Sequence, residues 1–551
     1  MANMPKLRPV MLSLIVFSFF ALAVPPLHTQ AQTFTVLYNF GAHNGDPVNP
    51  QWSGIIAQGR DGTLYTTVTQ GGGGYGSVIS ITPSGTFNIV HNFNGHDEGL
   101  SPTGGLSLGL DGNFYGTTCG CGFGLGTIFK VTPGGSLSTM YTFANGLDGS
   151  NPLAPPIQGL DGNFYGTASN GNQGQGFFGS VYKITPSGTF TTLKSLDFTS
   201  GAFPQDPLVQ GTNGYFYGTT ENGTPSNNGN TFRISSTGKF TSLFSFDGTH
   251  GHNPFAPLIQ ATDGNFYGTV KLGGTSNLGT TLRMSAAGKI TVLYNFAGTG
   301  DGTEPVGGLV QASDGNLYGT TSMADGSAGC GTIFRMTTKG VFSTVFTFPS
   351  DASKGCNPLV TLTQHTNGIL YGDTFGGGTG NNNHGVFFSF DAGLKSFIKL
   401  MTTTGKVGDT IEILGQGFTG ASNVSIGGTS ASFQVVSDTY LTAIVPAGAK
   451  TGLVTVTTPG GKLSSLKKFL VIPQITSFNP TSGPVGTAVT ITGVSLIQTT
   501  KVTFGGVAAT FTANSDTQVT ATVPTAAKTG KIGITTPGGK TTSSGTFTVT
   551  P

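Results

Sequence analysis

The chain has very little charge, one tryptophan and four cysteines in 551 residues. Charged residues make up 9% of the sequence, too few for long solvated helices. Residues 1–31 hold two basic and no acidic side chains, so the remainder carries 23 of each sign. A nucleic-acid-binding surface needs an excess of basic side chains to neutralise phosphate, so this balance argues against that class of partner.

Motifs for common chemistries are missing as well. The sequence has no His-Glu-x-x-His, no Gly-x-Ser-x-Gly, no phosphate-binding loop and no cysteine motif for zinc. We therefore expect no catalytic residue set, no metal site and no cofactor that can be recognised from sequence.

Only one long apolar run is present, at residues 10–24. It follows Lys6 and Arg8 and precedes Thr29-Gln30-Ala31, which is the order of a secretory signal peptide. The run is shorter than the ~20 residues of a membrane span. We expect cleavage after Ala31 and a mature chain without a transmembrane segment, either secreted or at the cell surface, with a periplasmic location left open.

What the sequence does have is 90 glycines and a motif that occurs seven times. Its fullest form is Gly-Asn-Phe/Leu-Tyr-Gly-Thr, and its tyrosines follow one another at steps of 50 to 53 residues: Tyr65, Tyr115, Tyr165, Tyr217, Tyr267, Tyr318 and Tyr371. A period of this length is typical of a repeat architecture.

Each repeat contains four strand-like runs, which we label a to d. Asp-Gly or Asn-Gly pairs separate a from b, and Thr-Pro-Ser-Gly or similar turns separate c from d. Four-stranded antiparallel units repeated seven times predict a seven-bladed β-propeller over residues 32–401. The d-like run at 34–40 precedes every a run, whereas the seventh repeat ends in a weak d-like run at 397–401. We therefore expect the first strand to complete the last blade and close the ring.

A second repeat, of 78 residues, occupies the C-terminal part. Val407-Gly408 matches Val485-Gly486, and Thr458-Pro-Gly-Gly461 matches Thr536-Pro-Gly-Gly539. Short alternating strands with frequent turns predict two immunoglobulin-like β-sandwiches, at 402–473 and 474–551. The fold class is therefore all-β throughout.

Both parts resemble known families. The 50-residue repeats resemble the tandem GloVer repeats of bacterial choice-of-anchor secreted proteins, with departures at Thr66 and Asp373. Residues 478–486, Phe-Asn-Pro-Thr-Ser-Gly-Pro-Val-Gly, resemble the motif of IPT/TIG domains, and the first copy keeps only Gly405-Lys-Val-Gly408. Neither resemblance implies one activity.

Glutamine recurs three residues before the a–b turn in six of the seven repeats, with Leu108 in the second: Gln58, Gln158, Gln210, Gln260, Gln311 and Gln364. Two interpretations are open, a polar ring lining a channel or buried amides that tie neighbouring blades. Recurrence in six of the seven repeats favours the second interpretation, because a specific site should break the symmetry.

The b–c and d–a loops are long, and antiparallel alternation places both sets on one face of the ring. Binding residues usually lie on such loops. The candidate ligand-binding residues are Trp52, Tyr75, Asp97, Phe123, Phe177 and His384. Paired carboxylates for glycoside chemistry need not be close in sequence, and the d–a loops offer Asp97, Glu98, Asp148, Asp206, Asp301 and Glu304. Solvated loop acids are the simpler interpretation of each.

Cys330 precedes strand c of the sixth repeat and Cys356 follows its strand d. Antiparallel neighbours bring these positions to one face, and export permits oxidation, so we expect a disulfide between them. Cys119 and Cys121 are compatible with a local disulfide or with free thiols.

The function expected from these features is non-catalytic binding. The long-loop face would hold a polysaccharide or a cell-surface protein, and the sandwiches would act as a stalk. An extracellular polysaccharide lyase or glycoside hydrolase, and a structural repeat protein of the envelope, remain as alternatives.

Overall fold

The computed structural model describes residues 32–551 except 44, 51–53, 72, 121–123, 145–146, 172–175, 177, 325–328 and 380–382. The predicted signal peptide lies outside the described residues. Within them every regular element is a β-strand, so the predicted all-β class is confirmed. No helix in this described part is long and apolar enough to cross a membrane.

The first strand is β1 (Thr33–Asn39), and seven four-stranded antiparallel sheets include it. Sheet 1 contains β2 (Ala57–Gln58), β3 (Leu64–Val68), β4 (Ser77–Ile81) and β5 (Phe87–Asn92). Sheet 2 contains β6 (Ser107–Leu108), β7 (Phe114–Thr118), β8 (Thr127–Val131) and β9 (Leu137–Thr142). Sheet 3 contains β10 (Ile157–Gln158), β11 (Phe164–Ala168), β12 (Ser180–Ile184) and β13 (Phe190–Ser195). Sheet 4 contains β14 (Val209–Gln210), β15 (Phe216–Thr220), β16 (Asn230–Ile234) and β17 (Phe240–Ser245).

The later sheets follow the same order. Sheet 5 contains β18 (Ile259–Gln260), β19 (Phe266–Val270), β20 (Thr280–Met284) and β21 (Ile290–Asn295). Sheet 6 contains β22 (Val310–Gln311), β23 (Leu317–Thr321), β24 (Thr332–Met336) and β25 (Phe342–Thr347). Sheet 7 contains β26 (Thr363–Gln364), β27 (Leu370–Asp373), β28 (Val386–Asp391) and β1. Successive four-stranded sheets of this kind are the composition of propeller blades.

The first strand closes the set of sheets, as the sequence predicted. Strand β1 pairs antiparallel with β28, so that Phe34 lies opposite Phe390 and Asn39 opposite Val386. One hydrophobic core joins residues of sheets 6, 7 and 1, including Ile56 and Phe388. The first and last sheets are therefore in direct contact, and β28 has no unpaired edge.

The recurring motif is structural. In sheet 2 the Tyr115 hydroxyl donates to Asp111 Oδ2 at 2.8 Å, and its ring lies 3.9 Å from that of Phe164 in sheet 3. The equivalent contacts recur in sheet 1, where Tyr65 donates to Asp61 and packs on Phe114. Burial and the neighbouring carboxylate raise the pKa of both tyrosines. The motif thus holds each a–b turn in place and packs one sheet on the next.

The recurring glutamines also join neighbouring sheets. Each Oε1 accepts a backbone N–H from the a–b turn of the sheet before it, at 2.8 to 3.1 Å. Gln58 completes the circle by accepting from Thr366 in sheet 7 and donating to its hydroxyl at 2.8 Å. The interpretation as amides that tie neighbouring blades is confirmed, although only Gln58, Gln260 and Gln364 are buried.

Two sandwiches follow. The first contains β29 (Lys399–Leu400), β30 (Thr404–Gly405), β31 (Thr410–Leu414), β32 (Asn423–Ile426), β33 (Thr429–Ala431), β34 (Phe433–Ser437), β35 (Tyr440–Ile444), β36 (Val454–Thr458), β37 (Gly461–Ser464) and β38 (Leu470–Val471). The second contains β39 (Gln474–Asn479), β40 (Ser482–Gly483), β41 (Ala488–Val494), β42 (Lys501–Phe504), β43 (Val507–Ala509), β44 (Phe511–Ser515), β45 (Gln518–Thr522), β46 (Gly530–Thr536) and β47 (Gly539–Val549).

The two sandwiches share one topology. The order β29-β31-β35-β34 in the first corresponds to β39-β41-β45-β44 in the second, and β33-β32-β36-β37 corresponds to β43-β42-β46-β47. The run at 397–401 belongs here, since β29 pairs with β31. The first sandwich therefore begins a few residues before the predicted boundary at 402.

Candidate functional site

The first sandwich joins the face of the ring that carries the short turns. Arg60, in the turn between β2 and β3, donates to Glu412 Oε2 at 2.7 Å, and its guanidinium carbon lies 4.7 Å from the ring centroid of Tyr440. In sheet 7, the Thr366 hydroxyl accepts from Gln416 Nε2 at 2.9 Å. Since both contacts involve a–b turns, this sandwich leaves the long-loop face uncovered.

Arg60 also takes over a link that the second repeat lacks. Leu108 stands where the other repeats have glutamine, so no amide accepts a hydrogen bond from the turn of sheet 1. Instead, the Arg60 guanidinium donates to the carbonyl oxygen of Leu110 in sheet 2. The break in the repeat pattern on this face is thus explained by the attachment of the sandwich.

On the long-loop face the repeat pattern breaks in sheets 4 and 5. The residue four positions after each motif tyrosine is Thr69, Cys119, Ser169, Glu221, Lys271, Ser322 or Phe375. Only the fourth and fifth of these are charged. Asp206 adds a third charge, at a position where the neighbouring repeats have Ala154 and Ala256.

Asp206 is a buried acid. Its side chain is 3% exposed, and Oδ2 accepts from the Thr219 hydroxyl at 3.0 Å. Oδ1 has no hydrogen-bond partner within the described part of the chain. Burial is the main cause that raises the pKa of Asp206 to about 7, and the negative charge of Glu221 raises it further. The carboxyl group therefore keeps its proton to a higher pH than an exposed aspartate does.

Two more charges lie beside it. Glu221 accepts a hydrogen bond from Gln205, and burial raises its pKa while the charge of Lys271 opposes that rise. The Nζ atom of Lys271 lies 3.8 Å from Oε2 of Glu304 and 5.8 Å from the ring centroid of Phe255. Asp206, Glu221, Lys271 and Glu304 therefore form one mixed-charge group across sheets 4 to 6.

Glu304 has a backbone conformation that glutamate rarely adopts. Its φ is 51°, and the equivalent residues Asn151, Asn253 and Asn357 have φ between 52° and 55°. Asparagine tolerates this left-handed region, whereas a longer side chain is disfavoured there. The conformation belongs to the repeat itself, because Ser101 and Phe203 at the equivalent positions also have positive φ, 52° and 59°.

Aromatic side chains adjoin the charged group. The ring of Phe178 makes edge-on contacts with Phe198 and Phe203, at centroid distances of 5.5 and 5.9 Å. Phe198 is 40% exposed. The Phe203 carbonyl accepts from the Glu221 amide at 3.1 Å, so the two groups are continuous. We name the group of these three rings with Asp206, Glu221, Lys271 and Glu304 the acid–aromatic patch, in which Asp206 lies below the surface.

The candidates from sequence lie elsewhere. Tyr75 is 39% exposed and its ring lies against Gly95 in sheet 1. Asp97 is exposed and accepts from Asn94 at 3.1 Å, and His384 lies against the loop after β1. Among the described residues, no hydrogen bond or ring contact brings these three candidates together. The other three candidates, Trp52, Phe123 and Phe177, lie outside the described residues.

The candidate carboxylates divide into two kinds. Asp148, Asp301 and Glu98 each accept a backbone N–H inside their own loop, at 2.7 to 3.1 Å, and brace it. Asp206 and Glu304 make no such loop contact and belong to the patch. The interpretation as a solvated acid is wrong for Asp206 and Asp301, which are 3% and 7% exposed. The signal for Asp206 was present in the repeat alignment, where an acid replaces alanine.

The cysteines match expectation where they can be compared. Cys330 and Cys356 are joined by a disulfide, as predicted. Cys119 is also disulfide-bonded, so the alternative of a free thiol is wrong for this residue. Cys121 lies outside the described residues. Within the described residues, no group of three His, Cys, Asp or Glu side chains is placed to hold a metal ion.

Comparison with known proteins gives distant structural similarities. The chain is similar to a fungal alcohol oxidase of the AA5 family, solved with copper, at 15% identity over 77% of this chain and 98% of the oxidase, with a TM-score of 0.45. It is similar to hydrazine synthase of Kuenenia stuttgartiensis at 15% identity, over 61% of this chain and 96% of that protein, with a TM-score of 0.42.

PorZ, a bacterial surface component of the type-IX secretion system of Porphyromonas gingivalis, is a third similar structure. It has 14% identity over 78% of this chain and 60% of PorZ, with a TM-score of 0.41. At these values the similarities carry no argument about function. No curated protein matches the sequence.

The family comparison is more specific. The IPT/TIG domain model matches residues 473–549, which cover the second sandwich. The model of the Gloeobacter/Verrucomicrobia repeat matches residues 51–281 and 249–436, more than half of the chain. The chain therefore belongs to the Gloeobacter/Verrucomicrobia repeat family.

Proposed function

We propose that this protein is an exported, non-catalytic binding protein whose acid–aromatic patch holds a polysaccharide chain. In this proposal the seven sheets are the blades of a closed β-propeller. Both sandwiches are IPT/TIG domains that serve as a stalk, the first by its shared topology with the second. The propeller presents the patch away from the stalk.

The position of the patch is the observation that carries the proposal. The sandwich occupies a–b turns of sheets 1 and 7, whereas the patch is built from b–c and d–a loops of sheets 3 to 6. The patch is also where the repeats depart from their common pattern. Unlike the departure on the opposite face, this one is not explained by the attachment of the sandwich. A rigid scaffold with one irregular loop surface is a common arrangement for a binding site.

The chemistry of the patch suits a sugar chain. Aromatic faces such as that of Phe198 pack against the apolar C–H surfaces of sugar rings, and carboxylates accept hydrogen bonds from hydroxyl groups. Glu304 and Lys271 offer an acceptor and donors within 3.8 Å of each other. A neutral polysaccharide needs both kinds of group, and the mixed charge gives no preference for a strongly ionic ligand.

The proposal is tested with residues 32–551 and affinity electrophoresis through gels that contain xyloglucan, xylan, mixed-linkage β-glucan or pectin. We expect retention in at least one gel. Phe198→Ala should weaken it about tenfold or more, since buried aromatic contacts often dominate binding energy. Phe375→Ala is the matched control, because Phe375 is 37% exposed on the loops of sheet 7.

Two results would contradict the proposal. One is migration of the native protein that no polysaccharide delays. The other is an equal loss of retention for the two phenylalanine variants, since a site at sheets 3 to 6 should not depend on sheet 7. Equal unfolding midpoints of both variants would show that any difference arises at the surface.

A polysaccharide lyase or hydrolase is the second candidate, and Asp206 is the observation that favours it. A carboxyl group whose pKa lies near 7 is suited to general acid catalysis, and Glu221 provides a second carboxylate beside it. Product analysis of the same polysaccharides distinguishes the candidates. Depolymerisation that is abolished in Asp206→Asn but leaves retention intact would establish the enzyme.

A further inference from the structure

A cavity of about 310 Å³ lies between the ring and the first sandwich. Its ring side is formed by the innermost strands of sheets 6 and 7, through Val310, Leu362 and Thr363. Its sandwich side is formed by the segment that enters β29 and by the loop before β38. The volume is at the lower end of the range for small-molecule sites. The cavity is well away from the acid–aromatic patch, which lies on the opposite face.

Two lysines are the charged side chains that line this cavity. Lys399 comes from β29 and Lys467 from the loop before β38, so two separate segments bring them together. Both retain access to water although the cavity walls surround them. Within the described residues, neither ammonium group makes an ion pair or a hydrogen bond to protein.

Among the described residues that line this cavity, every charged side chain is positive. Burial lowers the pKa of both ammonium groups, and the charge of Lys467 lowers that of Lys399 further. His365, another base, lies close enough for Lys399 to lower its pKa as well. Because both side chains remain accessible to water, this charge is hydrated in the free protein, and an anion that enters the cavity would relieve the repulsion between the two lysines.

We propose that this cavity binds a small organic dianion, with Lys399 and Lys467 each contacting one negative charge. The inference does not depend on the proposed function, because it concerns a different face and different residues. Two ammonium groups that line one cavity match two negative charges, either two carboxylates or one phosphate ester. The bound ligand would then connect the two lysines of the sandwich with the ring side of the cavity.

The remaining lining decides the size and polarity of the ligand. Leu362, Phe397 and Leu400 provide apolar walls, which favour a ligand with a carbon skeleton over a bare inorganic ion. The hydroxyl of Thr403 is a further hydrogen-bond donor at the wall. A molecule of the size of a four- to six-carbon acid or a sugar phosphate suits this volume.

Isothermal titration of residues 32–551 with succinate and with glucose 6-phosphate tests the proposal, with acetate as a monoanion and sodium chloride keeping the ionic strength constant. We expect saturable binding of at least one dianion, with acetate at least about tenfold weaker. The two dianions distinguish a dicarboxylate from a phosphate ester. Binding of either one supports the proposal.

Single variants Lys399→Gln and Lys467→Gln should each weaken that binding by about tenfold or more, since hydrogen bonds to charged groups are among the stronger ones. Both side chains are accessible to water, so the folded state should survive the change. Lys468→Gln is the matched control, because Lys468 is exposed and does not line the cavity. Absence of dianion binding, or equal binding by the Lys399 and Lys468 variants, would overturn the proposal.

Discussion

Closure of the ring by β1 leads to a prediction that can be worked out in detail. We expect Phe34→Ala to destabilise the repeat region far more than its position near the start of the described chain suggests. The Phe34 ring stacks on Phe346 of sheet 6 at 4.2 Å with an interplanar angle of 2°, and on Phe388 of sheet 7 at 4.9 Å. It also meets Phe348 edge-on at 5.4 Å. One side chain thus packs β1 against two sheets.

The magnitude follows from these contacts. Truncating a fully buried phenylalanine to alanine costs roughly 3–5 kcal/mol. Phe34 is only partly buried, which reduces that value, while each aromatic pair contributes about 0.5–1.5 kcal/mol beyond the buried area. We therefore expect a loss of about 2–3 kcal/mol in the free energy of unfolding of the repeat region. Thr35→Ala, on the exposed side of the same strand, should change it by less than about 0.5 kcal/mol.

Guanidinium unfolding followed by tryptophan fluorescence measures this difference. The single tryptophan, Trp52, belongs to the repeat region, so its signal reports on that region and not on the sandwiches. This matters because a chain of several domains need not unfold in one step. Indistinguishable unfolding free energies for Phe34→Ala and Thr35→Ala would refute the reasoning, since β1 would then add nothing through its packing.

Three further predictions concern stability. Asp206 keeps its proton to about pH 7 in the folded chain but loses it near pH 3.8 in the unfolded chain. Its contribution to stability is therefore present below pH 4 and is lost as the pH rises to 7. Between pH 5 and pH 8, the unfolding free energy of Asp206→Asn should gain on the order of 2 kcal/mol relative to that of the native protein. The Cys330–Cys356 disulfide closes a separation of 26 residues, and replacing both cysteines by serine should lower the unfolding free energy by about 3 kcal/mol. Arg60→Met removes the ion pair to Glu412 and should make the junction between ring and sandwich more sensitive to limited proteolysis.

Each of these has a result that would count against it. For Asp206, the argument fails if the variant and the native protein keep the same stability difference at both pH values. For the disulfide, an unchanged unfolding midpoint after reduction would show that the loop is held by other contacts. For the junction, Arg335→Met is the comparison, because Arg335 is an exposed base on β24, and equal proteolysis of the two arginine variants would contradict the assigned role of Arg60.

Much of the architecture was predictable because repetition averages out local ambiguity. A single stretch such as Gly-Asn-Phe-Tyr-Gly-Thr is compatible with many structures. Its recurrence every 50 to 53 residues specifies one structural unit and the number of copies of that unit. The partner of β1 was predictable for a related reason: six repeats supply their own outer strand, and the seventh lacks a good one. The disulfide followed from the same register.

The site was predicted less well, for a physical reason. Exposed aromatics such as Tyr75 were favoured because type and loop position can be read locally, yet the Tyr75 ring packs against Gly95 of the neighbouring loop. Whether an acid is solvated, braces its loop or is buried without a full set of partners depends on neighbours from other repeats. Asp301 and Asp206 look alike in sequence, but one accepts backbone amides and the other does not.

The sequence by itself determined the all-β class, the number of four-stranded units, the closing strand and the tandem sandwiches, because these depend on periodicity and turn chemistry, which are local. Only the tertiary structure decided which side of the ring the sandwich occupies and which charges come together. Arg60 and Glu412 are 352 positions apart and belong to different units, the ring and the first sandwich. Such contacts arise from how rigid units pack against each other, and no pattern within one unit specifies that packing.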